Sequence, residues 1–171
     1  MNSTSDPLIR IAYSNWPTYN AALRDVVHCL TPEHLAFAPS PSKWPLWAQV
    51  GHLACQRVSW LCGFLQEPGG EDTPFPDALY VCPGDEDLEH VLGPQALVLA
   101  LDSTFEIVER CLDTWTFSML GETIRHKFGD EEWVYTRGNV IQRVFAHDIT
   151  HIAEINERLE MIGVSPANLW A

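Results

Sequence analysis

The chain has 171 residues, 46% of them hydrophobic and with seven Trp and seven Phe, which fits one soluble globular domain over 1–171 with a sizeable core. Ten basic against 23 acidic residues give a formal net charge of −13, which argues against nucleic acid or an anionic membrane surface as the main partner and leaves small molecules and other proteins open. The amino-terminal MNSTSDPLIR shows no basic region followed by an apolar run, and no apolar stretch approaches membrane-spanning length, so a cytoplasmic protein is expected.

The five cysteines, Cys29, Cys55, Cys62, Cys82 and Cys111, form no CxxC pair and are odd in number, a poor match to a secreted disulfide framework. They read as small core residues in a reducing compartment, most clearly Cys55 and Cys62, which fall in one apolar helical pattern.

In chain order, Ile11, Trp16, Tyr19, Leu23, Val26 and Leu30 predict a first helix from about Leu8 to Leu30, broken or kinked at Trp16-Pro17. Thr31-Pro32-Glu33 opens a short helical turn, and Ala38 to Ser42 is a loop. A second helix runs from Pro45, placed at its first position, to about Gln66. Its apolar side, Val50, Leu53, Trp60, Leu61 and Phe64, is interrupted by Arg57. Beside it runs a small and polar stripe of Gln49, His52, Gln56, Ser59 and Gly63, which either meets solvent or lines a cavity.

Pro68 to Gly84 is a long loop, read equally as a lid or as disorder, and Asp85 to His90 is expected to begin a helical turn. A third helix spans about Pro94 to Thr116 on Leu97, Leu101, Phe105, Val108, Leu112 and Trp115. Glu122 to Thr136, centred on Gly129-Asp130, predicts a two-stranded hairpin. The last helix, Asn139 to Gly163, has Asn139 as N-cap and Gly163 as stop. The sum is an all-α fold: a four-helix bundle with long connections and a small β-hairpin before the last main helix.

Chemistry concentrates in that last helix. His147 and His151 are four residues apart, so both imidazoles project from one face and can share a metal ion. Such a pair also arises by chance, and a lone mid-helix histidine is commonly just hydrogen-bonded, so spacing alone leaves both readings standing. His28, His34, His90 and His126 fall near helix ends, turns or the hairpin. His52 lies mid-helix, and bundle metal sites are built from side chains on facing helices.

Two segments, KWPLWAQVGHLA at 43–54 and TRGNVIQRVFAHDITHIAEINERLEMIG at 136–163, resemble the DinB/YfiT-like superfamily of four-helix-bundle metalloproteins, and the similarity extends over most of the chain. The resemblance implies that His52, His147 and His151 bind a divalent metal, commonly zinc or nickel, with coordination positions left for water or substrate. It also implies a homodimer. Some members are transferases or isomerases that use a low-molecular-weight thiol as cosubstrate.

Three imidazoles with an open position resemble catalytic rather than structural zinc sites. The expected function is a metal-dependent hydrolase or thiol-dependent transferase acting on a small molecule; the alternative is a non-catalytic metal-binding or scaffold protein with a structural or vestigial site. HDITH also resembles the HExxH zinc-protease motif, but aspartate is one methylene shorter than glutamate and no downstream third ligand is evident. Asp148 is accordingly expected to be solvated, with a ligand-orienting or pocket role as the other options. Gln49, Gln56 and Trp60 are candidate pocket residues, Arg143 and Arg158 candidate partners for carboxylates, and Trp44 and Trp47 candidate packing residues.

Overall fold

Proline positions, capping residues and apolar spacing set the helix boundaries close to those expected. The computed structural model describes residues 8–79 and 81–170. The first expected helix is two, α1 (Leu8–Ala12) and α2 (Trp16–His28), because Pro17 can occupy a helix's first turn but not its interior. The short α3 (Pro32–Leu35) is capped by Thr31, whose hydroxyl accepts from the His34 N–H.

Helix α4 (Leu46–Val58) runs on into a π-helical turn, Ser59–Phe64. Pro45 is its N-cap, with extended backbone, rather than the first helical residue as expected. Helix α5 (Pro94–Thr114) follows the expected range. Strands β1 (Thr123–Phe128) and β2 (Glu131–Thr136) form the antiparallel hairpin, with Gly129 at φ +61° in its turn.

The last helix, α6 (Arg137–Met161), begins earlier than predicted. Thr136 is the true cap: its hydroxyl accepts from the Asn139 N–H at 3.1 Å while the Asn139 side chain accepts from the Thr136 N–H. Asn139 is therefore the third residue of a capping box, and the two residues exchange the bonds that Asn139 was expected to make alone. Gly163, at φ +74°, ends the helix as predicted.

The four main helices α2, α4, α5 and α6 pack around one apolar core. Helix α4 lies between α5 and α6, and α2 packs on α5. Leu23, Val27, Leu53, Leu61, Leu101, Val108, Val140 and Ile155 are all buried in this core. The hairpin stands against the π-helical turn, where Trp133 stacks on Trp60 at 5.7 Å between ring centroids and Tyr135 meets the same indole edge-on.

The segment from Pro68 to Gly84 is a packed loop: Phe75, Ala78 and Cys82 are buried in it. Leu79 sits so close to Gly63 that a Cβ there would lie 2.4 Å from the Leu79 Cγ, so the polar stripe of α4 is covered at this end. Asp85 to His90 forms no helix. The Asp87 carboxylate accepts from the N–H groups of Glu89 and His90 instead, a local alternative that stops a helix from starting.

A disulfide joins Cys55 to Cys82, fixing this loop to α4. This corrects the reading of Cys55 as a free core thiol and removes the support for a reducing compartment. The chain-entropy model assigns a loop of this length about 3–4 kcal/mol of stabilisation. No described helix is long and apolar enough to cross a membrane. Thiol titration of the unfolded, unreduced protein is expected to find three free thiols, Cys29, Cys62 and Cys111. Finding all five cysteines reactive before reduction would remove the bridge.

Candidate metal centre

Helices α4 and α6 run antiparallel, as their successive pairings show: Gln49 with Glu154, His52 with His147, Arg57 with Asp148 and Trp60 with Arg143. This brings the polar stripe of α4 against the histidine face of α6. His52, His147 and His151 meet there as a group that could hold a metal ion, with one ligand atom from each within 4.8 Å of the others. The imidazole centroids are 4.3–5.2 Å apart.

The Nε2 atoms of His52 and His147 face each other at 3.2 Å. Two nitrogens bound tetrahedrally at about 2.0–2.1 Å would stand roughly 3.3–3.4 Å apart, so the spacing fits a shared ion. Carboxylates stand beside the outward nitrogens of His151 and His52, while His147 Nδ1 is buried without a hydrogen-bond partner among the described residues. His151 Nδ1 is 2.7 Å from Glu154 Oε2, and His52 Nδ1 is 3.3 Å from Asp85 Oδ2. The Glu154 contact favours a proton on His151 Nδ1 and so turns its Nε2 lone pair inward, as outer partners of metal-bound histidines do, whereas Asp85 stands near His52 Nδ1 without a hydrogen bond to it. Gln49, fully buried, donates to the same Glu154 oxygen at 2.6 Å and holds it in place.

His147 and His52 are also held neutral, as ligands must be. Burial, reinforced by His151 and His52, pushes His147 down to about 3, and burial lowers His52 as well. The unfolded chain takes up protons near the ordinary imidazole value of 6.5 that the folded chain refuses. The stability these groups contribute is therefore complete above that value and is lost as pH falls toward about 3. Chelator-treated protein should lose up to about 1.4 kcal/mol of unfolding free energy per pH unit and per histidine across this window. Denaturant unfolding between about pH 7 and pH 5, where free carboxylates are still ionised, checks this; a flat profile would show that these imidazoles titrate normally.

The other candidates divide. Gln49 joins the centre and half-buried Gln56 lies on the same stripe, whereas Trp60 lies beyond the end of α4 in the π-helical turn and forms the floor beneath Arg143. Asp148 is fully buried, contrary to the expectation of a solvated residue. Its Oδ2 accepts from Trp16 Nε1 at 2.7 Å and Arg57 Nε at 2.9 Å, with Arg57 Nη2 2.8 Å away. Burial pushes the carboxyl up and Arg57 and Trp16 oppose it; donors converging on one oxygen are the environment of an ionised carboxylate.

Neither candidate arginine pairs with a carboxylate as expected. Arg143 lies over the Trp60 ring at 4.4 Å, and Arg158 donates to the Trp44 carbonyl at 2.8 Å. Trp44 packs, as predicted, but against His52, at 4.9 Å between rings. Gly84, at φ +88°, lets the loop pass over that indole, where a Cβ would lie 2.8 Å from ring atoms. Sequence reasoning missed Glu154 and Asp85. Glu154 had a signal, three residues beyond His151 on one helix face; Asp85 had none, because only the folded loop brings it to His52.

A family model described as the DinB superfamily matches residues 19–155. No curated protein matches the chain. Among solved structures, a DinB-like protein from Bacillus cereus is similar in fold, with a TM-score of 0.67 and 13% sequence identity over 91% of this chain and 93% of that one. With the matched span covering well over half of the residues and the helical bundle agreeing with it, the chain belongs to the DinB superfamily.

Proposed function

We propose that the protein binds a divalent metal, zinc or nickel, through His52, His147 and His151 and uses it on a small molecule, as a hydrolase or as a transferase dependent on a low-molecular-weight thiol. The carrying observation is the convergence of three imidazoles with no fourth ligand-type side chain in the group among the described residues. A bound divalent ion supplies Lewis acidity and lowers the pKa of a water or thiol that reaches it.

The chain's own residues prepare that position. Glu154 and Gln49 orient His151, Trp44 packs against His52, and burial keeps His147 unprotonated. A protease-like role for HDITH loses its base, because Asp148 is committed to Arg57 and Trp16 inside the core. The remaining choice lies between activation of water and of a thiol. Metal analysis of untagged protein, followed by assays of ester hydrolysis and thiol transfer before and after chelation, tests the proposal. The expected outcome is one metal per chain and turnover that chelation abolishes. Absence of bound metal, or turnover indifferent to chelation, would overturn it; full metal loading without turnover would favour the non-catalytic alternative.

A further inference from the structure

The seam between α4 and α6 is unlike at its two ends. On the Gln49 side of the histidines stand Glu154, bound to His151 and Gln49, Asp85 and Trp44 beside His52, and Arg158, whose guanidinium donates to the Trp44 carbonyl. On the other side stand Gln56, Trp60 and Arg143. Arg143 precedes His147 by one helical turn on the same face of α6, about 6 Å along the axis. Its guanidinium lies over the Trp60 indole at 4.4 Å, and among the described residues no carboxylate pairs with it. In a chain with 23 acidic and only ten basic residues, an exposed arginine without an acidic partner beside the histidine cluster is conspicuous.

The indole is itself fixed. Trp133 stacks on it and Tyr135 meets it edge-on, so the platform under the guanidinium cannot swing away without moving the hairpin. A guanidinium lying on an aromatic face keeps its N–H groups at its edge, in the fork that matches a carboxylate. Gln56, between His52 and Trp60 on α4, adds an amide with no hydrogen-bond partner among the described residues.

We propose that Arg143, backed by Trp60 and Gln56, is a carboxylate-binding subsite, so that the substrate is a small carboxylic acid whose carboxylate lies about one helical turn from the group held at the histidines. This rests on the reading of the histidine cluster as the reacting centre. The protein's net negative charge repels such anions, and Arg143 supplies an attracting charge one helical turn from His147.

The test compares two probes that differ only at the far end, 3-mercaptopropionate and 3-mercaptopropionamide. Binding to cobalt-loaded wild type, Arg143→Met and Arg143→Lys is followed by the thiolate absorption band, and in metal-free protein by the Trp60 indole N–H resonance. Wild type should prefer the acid over the amide by about tenfold, the size of one charge-assisted hydrogen bond. Arg143→Met should lose that preference with cobalt affinity undiminished, and Arg143→Lys should retain part of it. An acid-to-amide ratio equal in wild type and Arg143→Met overturns the subsite while leaving the metal reading intact. Failure of wild type to take up cobalt overturns the metal reading alone; the acid-specific shift of the Trp60 resonance, present or absent in Arg143→Met, then decides the subsite.

Discussion

Untagged protein carrying His147→Ala is expected to lose stoichiometric metal uptake, with affinity reduced by more than the roughly 10–100-fold that follows loss of an outer partner. His147 should be the sharpest of the three positions, because it faces His52 Nε2 at 3.2 Å and is held neutral to about pH 3. Removing it leaves two donors, while the remaining imidazoles keep their outer carboxylates. A graded series follows from the same geometry. Glu154→Gln retains all three ligands but weakens the bond that turns His151 inward, so it should cost about 10–100-fold. Competition titration against a chelator of known affinity measures both variants. Equal affinities for wild type and His147→Ala would remove the site altogether.

The second large effect is on stability. Asp148→Asn is expected to cost about 3–5 kcal/mol, because it strands the guanidinium of Arg57 in a fully buried position. In a chain of this size that is a fall in Tm of about 6–20 °C. The loss arises from an uncompensated charge and not from the net strength of the pair, so Arg57→Met combined with Asp148→Leu should recover most of it. Calorimetry on the two variants separates these terms. A cost below about 1 kcal/mol for Asp148→Asn would mean that water reaches Arg57, contrary to its complete burial. The pair ties α4 to α6 one residue from His147, so it also fixes the register in which the histidines meet.

The bundle was legible because helical periodicity depends on neighbours a few residues apart. The spacing of Leu97, Leu101, Phe105 and Val108 specifies α5, and Gly129 marks the hairpin turn. His147 and His151 share a face by the same local rule, and His52 was found by its mid-helix position in a polar stripe. Local rules failed where a competing local bond intervened. Thr136 displaced Asn139 as the cap, and Asp87 closed a turn where a helix was expected to begin.

Asp148 was misread for a different reason. Its sequence position beside a candidate ligand says nothing of which way α6 rotates its flank, and the flank faces Arg57 and Trp16, 91 and 132 residues away. The Cys55–Cys82 bridge, the reach of Asp85 to His52 and the seat of Arg143 on Trp60 are likewise set by chain separations that no spacing encodes. By itself the sequence determined which helices form and which histidines they carry, since both follow from short-range periodicity and composition. The tertiary structure alone decided which charges are buried together, which loop is tied over the site and which arginine lies on Trp60, because those depend on how distant faces pack and exclude water.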